Sequence, residues 1–80
     1  MAFSDLIIEG CKVEKGAKSI GRTLGELAVR QNYDVTVIAI IKHNQDKLLN
    51  PGADALIEEN DTLVLSGERN HLKKLSHQFL

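Results

Sequence analysis

Four groups of residues in this chain have types and spacing that could do chemistry. Gly16-Ala17-Lys18-Ser19-Ile20-Gly21-Arg22-Thr23 narrowly misses a phosphate-binding P-loop. Arg22 stands where a lysine must reach the β- and γ-phosphates, and 80 residues cannot supply the large parallel sheet that such a loop serves. A loop running into a helix cap is the simpler account. Cys11, His43, His71 and His77 could in principle ligate a metal. However, His71 and His77 are six apart and would point to different sides of a helix. Cys11 falls in an apolar strand with no histidine near it in sequence, where a free thiol usually packs. No metal site is expected. No paired carboxylates, Ser/His/Asp set or Gly-rich catalytic loop stands out, so an enzyme is not expected either.

The third group is basic: Arg69, His71, Lys73, Lys74 and His77 within nine residues. A solvated helix face explains them most cheaply, and docking to an acidic partner surface is the alternative. The fourth is the most informative. Ile40, Ile41, Lys42 and His43 end a long apolar run, and Asn50 and Pro51 return a few residues later. An apolar platform beside donors and cationic groups suits a small anionic ligand with a flat ring. A plain strand-turn-strand is the alternative. Arg30 compensates a helix C-terminus on the simplest view, yet it leads directly into the same strand and could reach a ligand there.

The elements that must position these residues follow from periodicity. Leu6 to Glu14 alternates loosely as a strand broken by Gly10. Thr23-Leu24-Gly25-Glu26 fits a capping box and opens one helix ending near Asn32. Leu24, Leu27 and Ala28 share its inner face, Ile20 packs from just upstream, and Glu26 and Arg30 form an i,i+4 pair. Val35 to Ile41 is a β-branched apolar run, expected to be a strand buried on both faces, with Val35, Val37, Ala39 and Ile41 opposite Thr36, Ile38, Ile40 and Lys42. Lys47-Leu48-Leu49 returns as a short strand. Ala55-Leu56-Ile57 and Thr62 to Ser66 form a further pair around Glu58–Asp61, and Leu63 and Leu65 mark the covered face. A helix from about Asn70 carries Leu72, Leu75 and Phe79 on one side. The order β-α-β-β-β-α makes a small α+β domain with a mixed sheet and two helices. The two helices could cover both faces of the central strand, or a second subunit could cover one.

Size and charge set the bounds. Eighty residues form one domain that is marginal by itself, so association with another chain is expected. A single cysteine excludes an internal disulfide and suits a reducing cytoplasm. A net charge of −1 argues against nucleic acid as a partner. No apolar stretch approaches a membrane span, and Met1-Ala2-Phe3-Ser4-Asp5 lacks the basic start of a signal peptide, so a cytoplasmic module is expected.

The order of motifs carries a family resemblance over nearly the whole chain. Ser19 to Leu27, the run Val35 to Ile41, Asn50-Pro51, and Asn60-Asp61-Thr62-Leu63-Val64-Leu65-Ser66-Gly67 resemble the C-terminal regulatory RCK domain (RCK_C, or TrkA-C). The wording is most similar to members that regulate bacterial potassium/proton antiporters. The resemblance implies a homodimer that binds cyclic di-AMP in the cleft between two copies and acts on a membrane antiporter subunit. It implies ligand contacts at Ile38, Ile40, Ile41, Lys42, His43, Asn50 and Pro51, with Arg30 reaching in from the neighbouring helix end. The nucleotide-binding N-terminal RCK half, with its Gly-rich fingerprint, is not present in these 80 residues. NAD or ATP as cofactor is therefore not implied, and a single-domain piece (1–80) of a longer regulatory subunit is expected. The three histidines further suggest pH sensing.

Overall fold

The computed structural model describes residues 5–80. Met1–Ser4, where the signal-peptide expectation falls, lie outside the described residues. In chain order the elements are strand β1 (Leu6–Lys12), short helices α1 (Leu24–Leu27) and α2 (Val29–Tyr33), strands β2 (Thr36–Ile41), β3 (Lys47–Leu49) and β4 (Thr62–Glu68), and helix α3 (Arg69–Phe79). The four strands make one sheet in the order β1-β4-β2-β3, and every neighbouring pair is antiparallel. The α+β class and the β-α-β-β-β-α order therefore hold, whereas the mixed sheet does not. The strands β1 and β2 run parallel, as a strand-helix-strand unit requires, but β4 inserts between them and removes the parallel pairing.

One face of the sheet is covered. Leu24, Leu27 and Val29 from the first two helices and Leu72 and Leu75 from α3 join Val35, Ile40, Leu63 and Leu65 in a single core. Tyr33 and Phe79 close its edge in a T-shaped contact with centroids 6.0 Å apart. The other face carries Ile8, 69% exposed, and Leu49, 72% exposed.

The expected burial of β2 on both faces is corrected by a β-bulge. Val37 pairs with Leu65 but Ala39 pairs with Val64, so one extra residue, Ile38, is inserted between them. A bulge reverses the side-chain alternation beyond it. Val35 and Val37 face the helices before the bulge, and Ile40 and Lys42 face them after it. The run is apolar on both sets of positions because its register changes halfway.

Three further expectations are revised. The single helix from Thr23 to Asn32 is broken at Ala28, whose left-handed φ of 47° splits it in two, and Glu26 and Arg30 form no ion pair. Ala55–Ile57 is not a strand partner of β4; Leu56 makes one isolated bridge to Thr23 instead. Gly10 does not interrupt β1, which pairs with β4 throughout Leu6–Lys12.

Candidate functional site

The segment after β3 builds the site by pairing with the start of α1. Gly21 and Leu24 donate their N–H groups to Ile57 and Ala55, at 2.8 and 3.1 Å, and Gly25 donates to Ala53 at 2.8 Å. The first amides of a helix lack internal partners, so a loop that supplies carbonyls is held firmly. The capping box completes this end. Glu26 N–H donates to the Thr23 hydroxyl at 3.2 Å, and Thr23 N–H donates to the Glu26 carboxylate at 2.9 Å. That amide, with the Thr23 hydroxyl, holds the Glu26 carboxyl below its usual range. Gly25 eases the approach: a Cβ there would lie 3.0 Å from the Ala53 carbonyl oxygen, tighter than ordinary van der Waals contact.

Between this loop, the α1–α2 break and the start of β2 lies a cleft of about 340 Å³. Its walls include Arg30, Thr36, Val37, Pro51 and Ala53. The cleft exists because β3 stops early. It pairs with β2 only at Ala39–Ile41, and the last bond on that side is Asn50 N–H to Ile38 O at 2.8 Å. Thr36 and Val37 thus have no strand beside them on that side. Asn50 turns the chain away with a left-handed φ of 47°, which asparagine tolerates, and places Pro51 at the cleft. Arg30 is exposed at the opposite wall and donates to the Thr36 hydroxyl at 3.4 Å.

The other end of β2 is built around a carboxylate that sequence reasoning missed. Asp61 is fully buried. It accepts from the Lys42 ammonium, from His43 N–H at 3.1 Å and from Glu58 N–H at 2.8 Å. Lys42, its side chain 14% exposed, also donates to Leu56 O at 3.1 Å and lies 3.0 Å from the Glu58 carboxylate. Burial opposes the charge on this lysine, but hydrogen bonds and attraction from Asp61 and Glu58 outweigh it and raise its pKa above the ordinary value. Nothing in the sequence joins Lys42 to a residue nineteen positions away. The only hint is an aspartate placed directly before an alternating strand.

The expected ligand residues therefore divide. Arg30 and Pro51 line the cleft, and Asn50 and Ile38 are bonded together at its rim. Ile40 is fully buried in the core of the single copy, where the bulge places its side chain, and does not line the cleft. Lys42 and His43 stand at the far end of β2, roughly 20 Å from Thr36 at ~3.3 Å per residue. His43 lines a separate hollow of about 460 Å³ with Leu56, Glu58 and Asn60, its Nε2 3.9 Å from the Glu58 carboxylate. Ile41, two residues before His43, is half-buried on the face away from the helices. One copy of the chain does not gather these groups into one site. Of the cleft's other walls, Gln31 offers a side-chain amide, whereas Gly25, Ala28, Gly52 and Ala53 carry no chemistry in their side chains. A glycine early in a helical pattern was the one available signal of a close approach there.

No group of three or more potential metal ligands occurs among the described residues. The Cys11 thiol is pushed up to about 11, first by burial and then by the Glu9 carboxylate, so it stays protonated at neutral pH and is a poor nucleophile. No helix among the described residues is long and apolar enough to cross a membrane.

Comparison with known proteins adds the following. The family model for the TrkA-C domain matches residues 9–80. The K(+)/H(+) antiporter subunit KhtT of Bacillus subtilis (strain 168) is 89% identical over all 80 residues, which span 48% of that protein. The chain thus covers about half the length of this curated relative. Among solved structures, the RCK_C domain dimer of S. agalactiae BusR in complex with c-di-AMP superposes with a TM-score of 0.82 at 24% identity, covering 94% of this chain and 91% of that one. The RCK C domain of the potassium transport protein KtrA, also in complex with c-di-AMP, gives 0.80 at 24% identity, covering 94% and 85%.

Proposed function

The chain belongs to the TrkA-C family, and from that premise we propose that it is a cyclic di-AMP-binding regulatory domain. It acts as a homodimer, in the cytoplasm, on a membrane potassium/proton antiporter subunit, within a longer regulatory protein. The observation that carries this reading is the cleft at the start of β2, on the side where β3 does not reach. It combines apolar walls, Val37 and Pro51, with a guanidinium, Arg30, that no carboxylate neutralises among the described residues. Such a site suits a flat base joined to a phosphate. The name of the antiporter-subunit relative supports the choice of transporter, and the solved structures in complex with c-di-AMP support the choice of ligand.

A two-fold ligand fits a two-fold pair of clefts, each half meeting the same surface. Pairing also offers a way to unite residues that one copy keeps apart: Arg30, Ile38, Asn50 and Pro51 from one end of β2, and Ile41 and His43 from the other. Lys42 contributes by holding the turn through Asp61. The ligand controls transport by binding one dimer geometry more tightly than another, since only differential affinity shifts an equilibrium. The three histidines, His43, His71 and His77, motivate pH sensing as a further part of the proposal. Histidine-to-glutamine changes that leave the pH response of the intact transporter unchanged would remove that part of the proposal.

Calorimetry and sedimentation of this chain with cyclic di-AMP test the central claim. One ligand per two chains is expected, with binding lost in Arg30→Ala and Asn50→Ala. Absence of binding at micromolar ligand favours a second reading, a ligand-free dimerisation or docking module. The exposed Ile8 and Leu49 on the uncovered sheet face are the observation behind that alternative.

A further inference from the structure

We propose that Thr36 is a positioning residue of this site: its hydroxyl fixes the Arg30 guanidinium over the cleft. The inference rests on the reading of the cleft as the cyclic di-AMP site and extends it to a residue that neither the sequence pattern nor the resemblance singled out. Arg30 lies in α2, a helix of five residues that begins at the left-handed Ala28 and ends at the left-handed Asp34. Its side chain is exposed and has no carboxylate partner among the described residues. A long, free arginine side chain samples many rotamers, and holding it still for an anion costs entropy. Thr36 reduces that cost. It accepts from Arg30 Nη2 at 3.4 Å, and it stands where β3 has stopped, so no neighbouring strand screens it on the cleft side. A neutral hydroxyl at this distance orients the guanidinium without neutralising it, and the remaining N–H donors stay available to an anion. A carboxylate in the same place would have consumed the charge. Thr36 itself is held in register opposite Ser66 of β4, so the anchor is a sheet position rather than a loop.

The test uses this chain with Thr36→Val, which keeps the shape and removes the hydroxyl, and Thr36→Ser, which keeps the hydroxyl. Calorimetric titration with cyclic di-AMP is expected to show about five- to tenfold weaker binding for Thr36→Val. Thr36→Ser should restore most of the loss. In an Arg30→Ala background, Thr36→Val should change affinity no further, because the hydroxyl acts through the guanidinium. In parallel, NMR of the ligand-free chain should show faster motion of the Arg30 Nε–H bond in Thr36→Val than in Thr36→Ser or the unsubstituted chain. Equal affinity in Thr36→Val, or an equal loss with and without Arg30, overturns the inference while leaving the ligand assignment intact. If the unsubstituted chain binds no cyclic di-AMP, the ligand assignment fails instead. The NMR comparison then decides the positioning role alone, and unchanged Arg30 motion in Thr36→Val overturns it.

Discussion

At the scale of single residues, the most consequential group is the buried Asp61. It satisfies two backbone N–H groups and the Lys42 ammonium at once, tying the β2–β3 turn to the turn before β4. Removing it in Asp61→Ala leaves two backbone amides without their acceptor and the Lys42 ammonium with only Glu58 and Leu56 as partners. Chemical denaturation should show a loss of about 1–3 kcal/mol, the cost of leaving buried polar groups unsatisfied. The same network sets an alkaline limit. The folded-state pKa of Lys42 is raised, so its pairing stabilises the fold fully below the unfolded-chain value of about 10.4 and is lost as pH rises through the folded value. Thermal unfolding between pH 8 and 11.5 should therefore show a fall above about pH 10.4 that is shallower in Lys42→Met.

At the scale of elements, the bulge at Ile38 and the break at Ala28 decide what the site contains. The bulge sends Ile40 to the core and Lys42 to Asp61. The break lets a five-residue helix place Arg30 at the cleft. The contact between α1 and the loop after Pro51 forms the wall between them, and Gly25 eases it. Gly25→Ala would bring a methyl to 3.0 Å from the Ala53 carbonyl oxygen, so the loop must shift by a few tenths of an ångström. Overpacking of about 1–3 kcal/mol is offset in part by alanine's gain of about 1 kcal/mol over glycine in a helix, so denaturant titration should show a net loss of no more than about 2 kcal/mol. Any cyclic di-AMP affinity should fall by a larger factor than that of a distant variant destabilised equally.

At the scale of the whole molecule, the layers are unequal. All three helices contribute to one core on one side of the sheet, leaving the other side with exposed Ile8 and Leu49. Their replacement in Ile8→Thr and Leu49→Thr should change the unfolding free energy of the isolated chain by no more than about 0.5 kcal/mol each, as for surface positions generally. Sedimentation of the double variant then reports on this face separately. An unchanged association state would place the contact between copies elsewhere, and a shift toward monomer would place it here.

The sequence by itself determined most of what depends on local periodicity and composition, the break of the first helix at Ala28 and the unbroken β1 at Gly10 being the exceptions. The capping box at Thr23 and Glu26, the one-sided strand with Leu63 and Leu65 inward, the Leu72–Leu75 face of the last helix and the α+β order are all written in residue spacing, because each is settled within a few residues of chain. The family could be recognised for the same reason, from an ordered set of such pieces. What only the tertiary structure decided were relations between distant segments. An apolar run such as Val35–Ile41 reads alike whether both faces are buried or a bulge exchanges them midway, and β4, which forces the register, lies more than twenty residues on. Lys42 reads as a donor for a ligand and Asp61 as part of a turn motif until the fold puts them in contact. The cleft beside Thr36 comes from a strand that ends early, and much of its wall is glycine, alanine and valine, whose side chains announce nothing. Arg30 and Pro51 were legible as candidates, but the notch that brings them together is a property of the folded sheet edge.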